Sequence, residues 1–171
     1  HSWLASGWSV VERLNVISVN LRNLELSNTI SQNFENFTKN NINELVSLDK
    51  SIFDSYWQNS EAAFIETLDS CNQNYLFKQY DEDLLVGYAI LGVTRNFSFL
   101  QRFGISLGYQ NKGHGSELLK NVLSFAKNNK YTNIRLNTQE NNKAAKSLYV
   151  KHGFELTKTT FTLLNATEIF R

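Results

Sequence analysis

The chain has 171 residues, which is enough for one domain that buries about two-thirds of its unfolded surface; 42% hydrophobic and 13% aromatic content suits a packed core and excludes a disordered chain. With 17 basic and 16 acidic residues the net charge is +1 and no like-charge block forms, so the concentrated basic face of a nucleic-acid binder is missing. The longest apolar run, Leu84–Val93, falls far short of the roughly 20 residues of a membrane span, and no charged start with an apolar core marks a signal peptide.

Residues Trp8 to Val19 are β-branched and partly alternating and predict a strand; Leu21 to Asn28 is polar and predicts a connection, followed by a short strand over Thr29 to Phe34. Thr38 is placed as N-cap of a helix whose spacing runs through Ile42, Leu45, Val46, Asp49 and Phe53, and Ser60 opens a second helix carrying Ala63, Phe64 and Leu68. The period then changes to two. Tyr75 to Tyr80, Leu84 to Val93 and Asn96 to Leu107 predict three successive strands, with Asp81-Glu82-Asp83 turning between the first two. A turn at Gly108 and Gln110–Gly113 leads into an amphipathic helix with Leu118, Leu119, Val122, Leu123 and Ala126 on one face. Thr132 to Thr138 is a further strand, and Asn142 to Lys151 a helix with Ala144, Ala145, Leu148 and Tyr149 as its apolar side. Gly153 ends that helix, and Phe154 to Leu164 supplies the last strands. This order predicts a mixed α+β fold with one sheet flanked by helices, not a regular alternation of strand and helix.

The lone Cys71 excludes an internal disulfide, suits a reduced cytoplasm and reads as an inert thiol. No cluster with metal-ligand spacing is present, so no metal is expected. The sequence contains no Met, so further residues are expected before His1; nothing in the sequence accounts for the lack of Pro.

Gln110-Asn111-Lys112-Gly113-His114-Gly115 lies where a strand passes into a helix. The first helical turn leaves backbone N–H groups unpaired at the positive end of the helix dipole. Glycines at 113 and 115 let a diphosphate approach those groups, and Lys112 adds a cation; the plainer alternative is a Gly-containing loop before an ordinary helix. A Walker A loop needs Gly-Lys-Ser/Thr, whereas Lys112 precedes its glycine, and the dinucleotide fingerprint needs glycine where Leu118 stands.

A second element follows one strand later: Asn142-x-x-Ala145-x-x-x-Tyr149-x-x-x-Gly153-Phe154, with Phe103-Gly104-Ile105 preceding the loop. Together, in this order and spacing, residues Leu100 to Phe154 resemble the cofactor-binding half of the Gcn5-related (GNAT) N-acetyltransferases, and the elements from Thr29 onward fit its first half. The pattern is similar to ribosomal-protein-alanine acetyltransferases and to tandem members such as mycothiol synthase. The resemblance implies a central, mostly antiparallel mixed sheet and acetyl-CoA (coenzyme A) as cofactor. It implies that the backbone of Phe103 and Ile105, around Gly104, pairs with the pantetheine arm. It further implies that the N–H groups from Asn111 to Ser116, after Gln110 and including Lys112, Gly113, His114 and Gly115, cradle the diphosphate. Asn142, in the motif with Ala145, would bond the pantetheine region, and Tyr149 would face the thioester sulfur as general acid. Where the family's turn carries Pro, this chain has Leu107.

In the alanine acetyltransferases a glutamate precedes the tyrosine by twelve residues; here that position is Asn137, which takes no proton. Glu140, His114 and His152 are the neighbouring titratable groups, and no base is carried over. A site poor in bases suits an α-amino acceptor better than lysine, because at pH 7 about one-tenth of α-amines but only about 0.04% of lysines are neutral. Phe53, Tyr56 and Trp57 follow the first helix and either line the acceptor pocket or fill core.

Trp3-x-x-x-Gly7-Trp8 repeats the spacing of Tyr149-x-x-x-Gly153-Phe154, so residues 1–22 are either the tail of a preceding GNAT-like unit or a chance likeness, with the acetyltransferase domain over 29–171. The expected activity is acetyl transfer to a primary amine of a small molecule or peptide N-terminus, by a monomer or homodimer without nucleic-acid or membrane partners. The alternatives are a non-catalytic acyl-CoA-binding regulatory module and a nucleotide-binding protein using the glycine loop.

Overall fold

The computed structural model describes residues 8–26, 33–95 and 97–166. Strand β1 (Trp8–Asn20) is followed by β2 (Phe34–Asn36), α1 (Ile42–Ile52), α2 (Glu61–Asp69) and the strands β3 (Gln73–Asp81), β4 (Leu84–Val93) and β5 (Ser98–Ile105). Then come α3 (His114–Asn128), β6 (Asn133–Gln139), α4 (Lys143–Lys151) and β7 (Glu155–Ala166). The strands form one seven-stranded sheet in the order β2-β3-β4-β5-β6-β1-β7. Every described pairing is antiparallel except that of β5 with β6.

Alternation along the strands divides the core into two layers. Tyr88 and Ile90 of β4 with Leu76 of β3 face α1 and α2, burying Leu45, Ile52 and Phe64. Ala89, Leu91 and Val93 point the other way, against Leu118, Leu119, Val122, Leu123 and Ala126 of α3. Ser60 caps α2, its hydroxyl accepting from Ala63 N–H at 3.2 Å. At Thr38 the local geometry differs from a simple cap: a short 3-10 turn, Lys39–Asn41, intervenes, and Asn41 Oδ1 accepts from Thr38 N–H at 2.9 Å.

Two expectations are corrected. Residues after Phe154 form one strand, β7, rather than several, and β1 lies between β6 and β7, pairing antiparallel with both. The N-terminal segment thus supplies the neighbour that a second C-terminal strand would have been. In addition, Ala144 is exposed, so the buried side of α4 is narrower than its sequence spacing implies. Of the short strand expected at 29–34, only Phe34 begins the observed β2; residues 29–32 and the Trp3/Gly7 motif lie outside the described residues. No helix among the described residues is long and apolar enough to cross a membrane.

Candidate active site

Where β5 leaves β6, the sheet opens. The two strands share a single described pair, Phe99 with Arg135. Just beyond it the β4–β5 register shifts, Leu91 pairing with Leu100 but Ile90 with Arg102, which leaves Gln101 as the extra residue of a β-bulge. A bulge bends its strand and raises its twist, and this one lies where β5 swings away. The result is a notch beside the C-terminal half of β5.

Ladder parity identifies which backbone groups face that notch. Ser106 N–H donates to Val86 C=O at 2.7 Å, so Ser106 and, two residues back, Gly104 turn their main-chain groups toward β4. Phe103 and Ile105 therefore turn theirs toward the notch. One of these groups is already engaged: Ile105 C=O accepts from Gln110 Nε2 at 3.0 Å. Gly104 is not aimed there. A Cβ on it would strike Ile52 and come within 3.0 Å of Phe53 Cζ, so its glycine serves the approach of α1.

A 3-10 turn, Leu107–Tyr109, carries the chain from β5 to α3, with Leu107 exposed to solvent. Asn111 (φ 60°) and Gly113 (φ 91°) both adopt the left-handed conformation, and no atom lies within 4 Å of where a Gly113 Cβ would be. Glu117 N–H donates to Gly113 C=O at 3.0 Å, so the helical ladder begins there and the N–H groups of His114, Gly115 and Ser116 have no helical acceptor. They point into an open cradle. A Cβ at Gly115 would lie 3.4 Å from Leu148 Cδ2 and 3.8 Å from Ile105 Cγ1, ordinary van der Waals contacts with α4 and β5. Lys112 Nζ stands 5.0 Å from the Tyr109 ring centre. His114 is turned toward β3, with Nε2 3.5 Å from Asp81 Oδ1. His152 Nε2 lies 3.0 Å from Ser116 Oγ; burial, with Lys120 and Lys151 nearby, lowers its pKa below the ordinary 6.5.

From the other side, α4 brings Tyr149 to the notch. Asn142 Oδ1 accepts from Ala145 N–H at 3.1 Å, which caps the helix, and the Asn142 amide nitrogen makes no hydrogen bond among the described residues. Ala145 itself packs against the core beside α3. At the other end Gly153, at φ 91°, and Phe154 return N–H bonds to Val150 and Tyr149 carbonyls at 3.0 and 3.1 Å, a Schellman-type stop. The Tyr149 ring packs against Phe103 (centroids 5.8 Å apart) and Phe154 (5.5 Å). Its hydroxyl makes no hydrogen bond among the described residues, and burial pushes its pKa up, so it stays protonated at neutral pH.

Asn137 is exposed on β6 opposite Val16 of β1, and Glu140 lies past the strand's end, exposed, its carbonyl accepting from Lys146. Neither imidazole nor Glu140 is placed beside the Tyr149 hydroxyl by any contact. Among the described residues no metal-binding cluster of His, Cys, Asp or Glu occurs.

A family model described as "Acetyltransferase (GNAT) family" matches residues 42–154. The chain belongs to the GNAT acetyltransferases. Over 78 residues it is 31% identical to the uncharacterized N-acetyltransferase YobR of Bacillus subtilis (strain 168), covering 46% of this chain and 32% of that protein. The match thus spans about a third of that relative. The GNAT sheet also superposes on the GCN5-related N-acetyltransferase of Sphaerobacter thermophilus with a TM-score of 0.69 and 13% identity, covering 95% of this chain and 53% of that one. The PaiA N-acetyltransferase of Thermoplasma acidophilum, solved in complex with coenzyme A, superposes with a TM-score of 0.59 and 16% identity, over 78% of this chain and 97% of the other. At these identities the likeness is one of fold.

A group of residues that the sequence reading did not assign adjoins this site. Asp49 of α1 is fully buried, and both its oxygens face Arg102 of β5, at 2.9 Å from Nε and 2.7 Å from Nη2. Tyr88 hydroxyl and Asn59 N–H also donate to Asp49, the latter at 2.6 Å. Burial opposes the charge on Arg102, but its bonds to Asp49 outweigh this and raise its pKa. Asp49 stands on the apolar stripe of α1 with Ile42, Leu45 and Ile52, and a carboxylate at such a position was the available signal.

Proposed function

We propose that this GNAT unit transfers an acetyl group from acetyl-CoA to a primary amine, with an α-amino group favoured over lysine. The observation that carries the reading is the pairing of an open N–H cradle at α3 with a notch edged by the main-chain groups of Phe103 and Ile105. The residues present fit the cofactor. The cradle has room because Gly113 is left-handed with nothing around it, and its unpaired donors suit a diphosphate. The Phe103 and Ile105 backbone offers an extended amide chain a strand edge. When bound, acetyl-CoA supplies an activated thioester carbonyl and a thiolate leaving group.

The rest is the chain's own work. An N–H on β5 directed into the notch would stabilise negative charge on the thioester carbonyl oxygen. Tyr149, held by Phe103 and Phe154, supplies a proton to the departing sulfur. Burial makes it a weaker acid than a free phenol, so it would give its proton to the sulfur only where the same burial raises the thiolate's basicity above its ordinary pKa of about 8.5. Neither Glu140, His114 nor His152 is held at the notch by a described contact, and the amine's proton leaves to water. That favours an acceptor already partly neutral at pH 7, which an α-amine is and a lysine is not. A reduced cytoplasmic setting agrees with the free thiol of Cys71.

The test is release of free thiol from acetyl-CoA during a screen of peptide N-termini, amino acids, polyamines and aminoglycosides at pH 7. Turnover with α-amines exceeding that with lysine side chains is expected. A preference for lysine at neutral pH would overturn the acceptor reading, and cofactor binding without thiol release from any amine would favour a regulatory acyl-CoA-binding module.

A further inference from the structure

We propose that Arg102 and Asp49 are positioning residues that hold residues 53–59 over the notch as the acceptor-side wall, so that their pairing governs acceptor capture and not cofactor affinity; this rests on the acetyltransferase reading above. Residues 54–58 form a turn closed on itself, with Trp57 and Gln58 N–H groups donating to Asp54 C=O at 3.0 and 3.1 Å and Gln58 Nε2 to Phe53 C=O at 3.0 Å. The turn is tied to β5 and to α1 by separate contacts. Arg102 Nη2 donates to Trp57 C=O at 2.6 Å, and Asp49 Oδ2 receives Asn59 N–H at 2.6 Å. The Arg102 guanidinium also lies 3.7 Å from the Phe53 ring centre, and that ring rests against Gly104. One guanidinium thus bonds helix α1, stacks on the start of the turn and bonds its far side.

Arg102 directly precedes Phe103, whose main-chain groups edge the notch, so the latch fixes the turn relative to the strand that meets the thioester. A buried ion pair is a weak source of net stability, because desolvating both charges offsets most of their attraction. Its better-supported use is to select one geometry, and arginine's planar fork supplies several directed bonds at once. What the latch presents is aromatic. Tyr56 is 64% exposed and meets Trp57 edge-on with centroids 5.0 Å apart. Such a surface accepts the alkyl and ammonium portions of an amine without a paired carboxylate.

Arg102→Lys keeps the charge beside Asp49 but loses the fork. With an acceptor that wild type turns over, it should lower acceptor kcat/KM on the order of 10²-fold, the cost of a small misplacement, through a raised KM. The acetyl-CoA Kd measured by calorimetry should stay within about twofold of wild type. The readout that a merely structural role would not move is a double-mutant cycle with Tyr56→Ala: this change should raise acceptor KM in wild type and add nothing to Arg102→Lys. If Arg102→Lys fails to fold, Phe53→Leu removes the stacking and leaves the ion pair, and should shift acceptor KM in the same direction. Equal losses in acceptor and cofactor affinity, or additive effects of the two substitutions, would overturn the latch. If wild type releases no thiol with any amine, the acetyltransferase reading fails and the proposal falls with it.

Discussion

Tyr149 has its ring packed between Phe103 and Phe154 and its hydroxyl without a hydrogen-bond partner among the described residues. A phenol kept for packing alone is better replaced by phenylalanine. Tyr149→Phe should therefore fold normally and bind acetyl-CoA as wild type does, while turnover falls on the order of 10²- to 10⁴-fold. Stopped-flow thiol release with a calorimetric Kd checks both halves, and unchanged turnover would return the residue to the core. His152 makes a different prediction. Its folded pKa lies below the ordinary 6.5, through burial and then Lys120 and Lys151, so the unfolded chain binds the proton more readily. Its contribution to stability is present above about pH 6.5 and is lost as pH falls through the lower folded value. Urea unfolding across pH 5 to 8 should show this slope in wild type and a flatter one in His152→Asn. The placement of Tyr149 on the buried side of α4 was legible because its motif is local, the spacing of one helix. The Arg102–Asp49 pair joins positions far apart in the chain, and only the odd carboxylate on the α1 stripe hinted at it.

Helix α4 has one shown and one proposed task at its N-cap, Asn142. Asn142 caps it through Oδ1, while its amide nitrogen is the group that can reach a ligand. Asn142→Asp keeps the capping oxygen and loses the donors, so stability should hold and acetyl-CoA affinity should fall. Asn142→Ala loses both and should cost about 1 kcal/mol of stability as well. Thermal melts and calorimetry on the pair separate the roles; equal cofactor affinity in Asn142→Asp and wild type would remove Asn142 from the cofactor site. Elements of this kind were readable from the chain because caps, glycine stops and amphipathic spacing act over a few residues. Strand order was not. That β1 would insert between β6 and β7, and that a bulge at Gln101 would part β5 from β6, depend on partners far away in sequence. The end of β7 illustrates this: no local signal breaks Glu155–Ala166, and the strand it pairs with is β1 rather than a further C-terminal strand.

Over the whole molecule, the sheet depends on its N-terminal strand. Ile17 and Val19 of β1 are buried in the layer beneath α3, and β1 supplies the neighbour of both β6 and β7. Removing residues 1–22 would expose two strand edges and that core, so the shortened chain should lose its cooperative melt by circular dichroism; a native-like transition would show that the remaining sheet closes without β1. We propose that acetyl-CoA occupies both the α3 cradle and the β5 notch. Calorimetric titration of acetyl-CoA into wild type, Gly113→Ala and Gly113→Asp tests it most directly. A Cβ at Gly113 meets no atom within 4 Å but must adopt φ 91°, so alanine adds strain of about 1–2 kcal/mol and no obstruction. Aspartate adds a negative charge within the anion cradle. Saturable one-to-one binding by wild type, retained in Gly113→Ala and abolished in Gly113→Asp, is the predicted result. Wild-type affinity in Gly113→Asp would contradict the cradle and, with it, the proposed path of the cofactor.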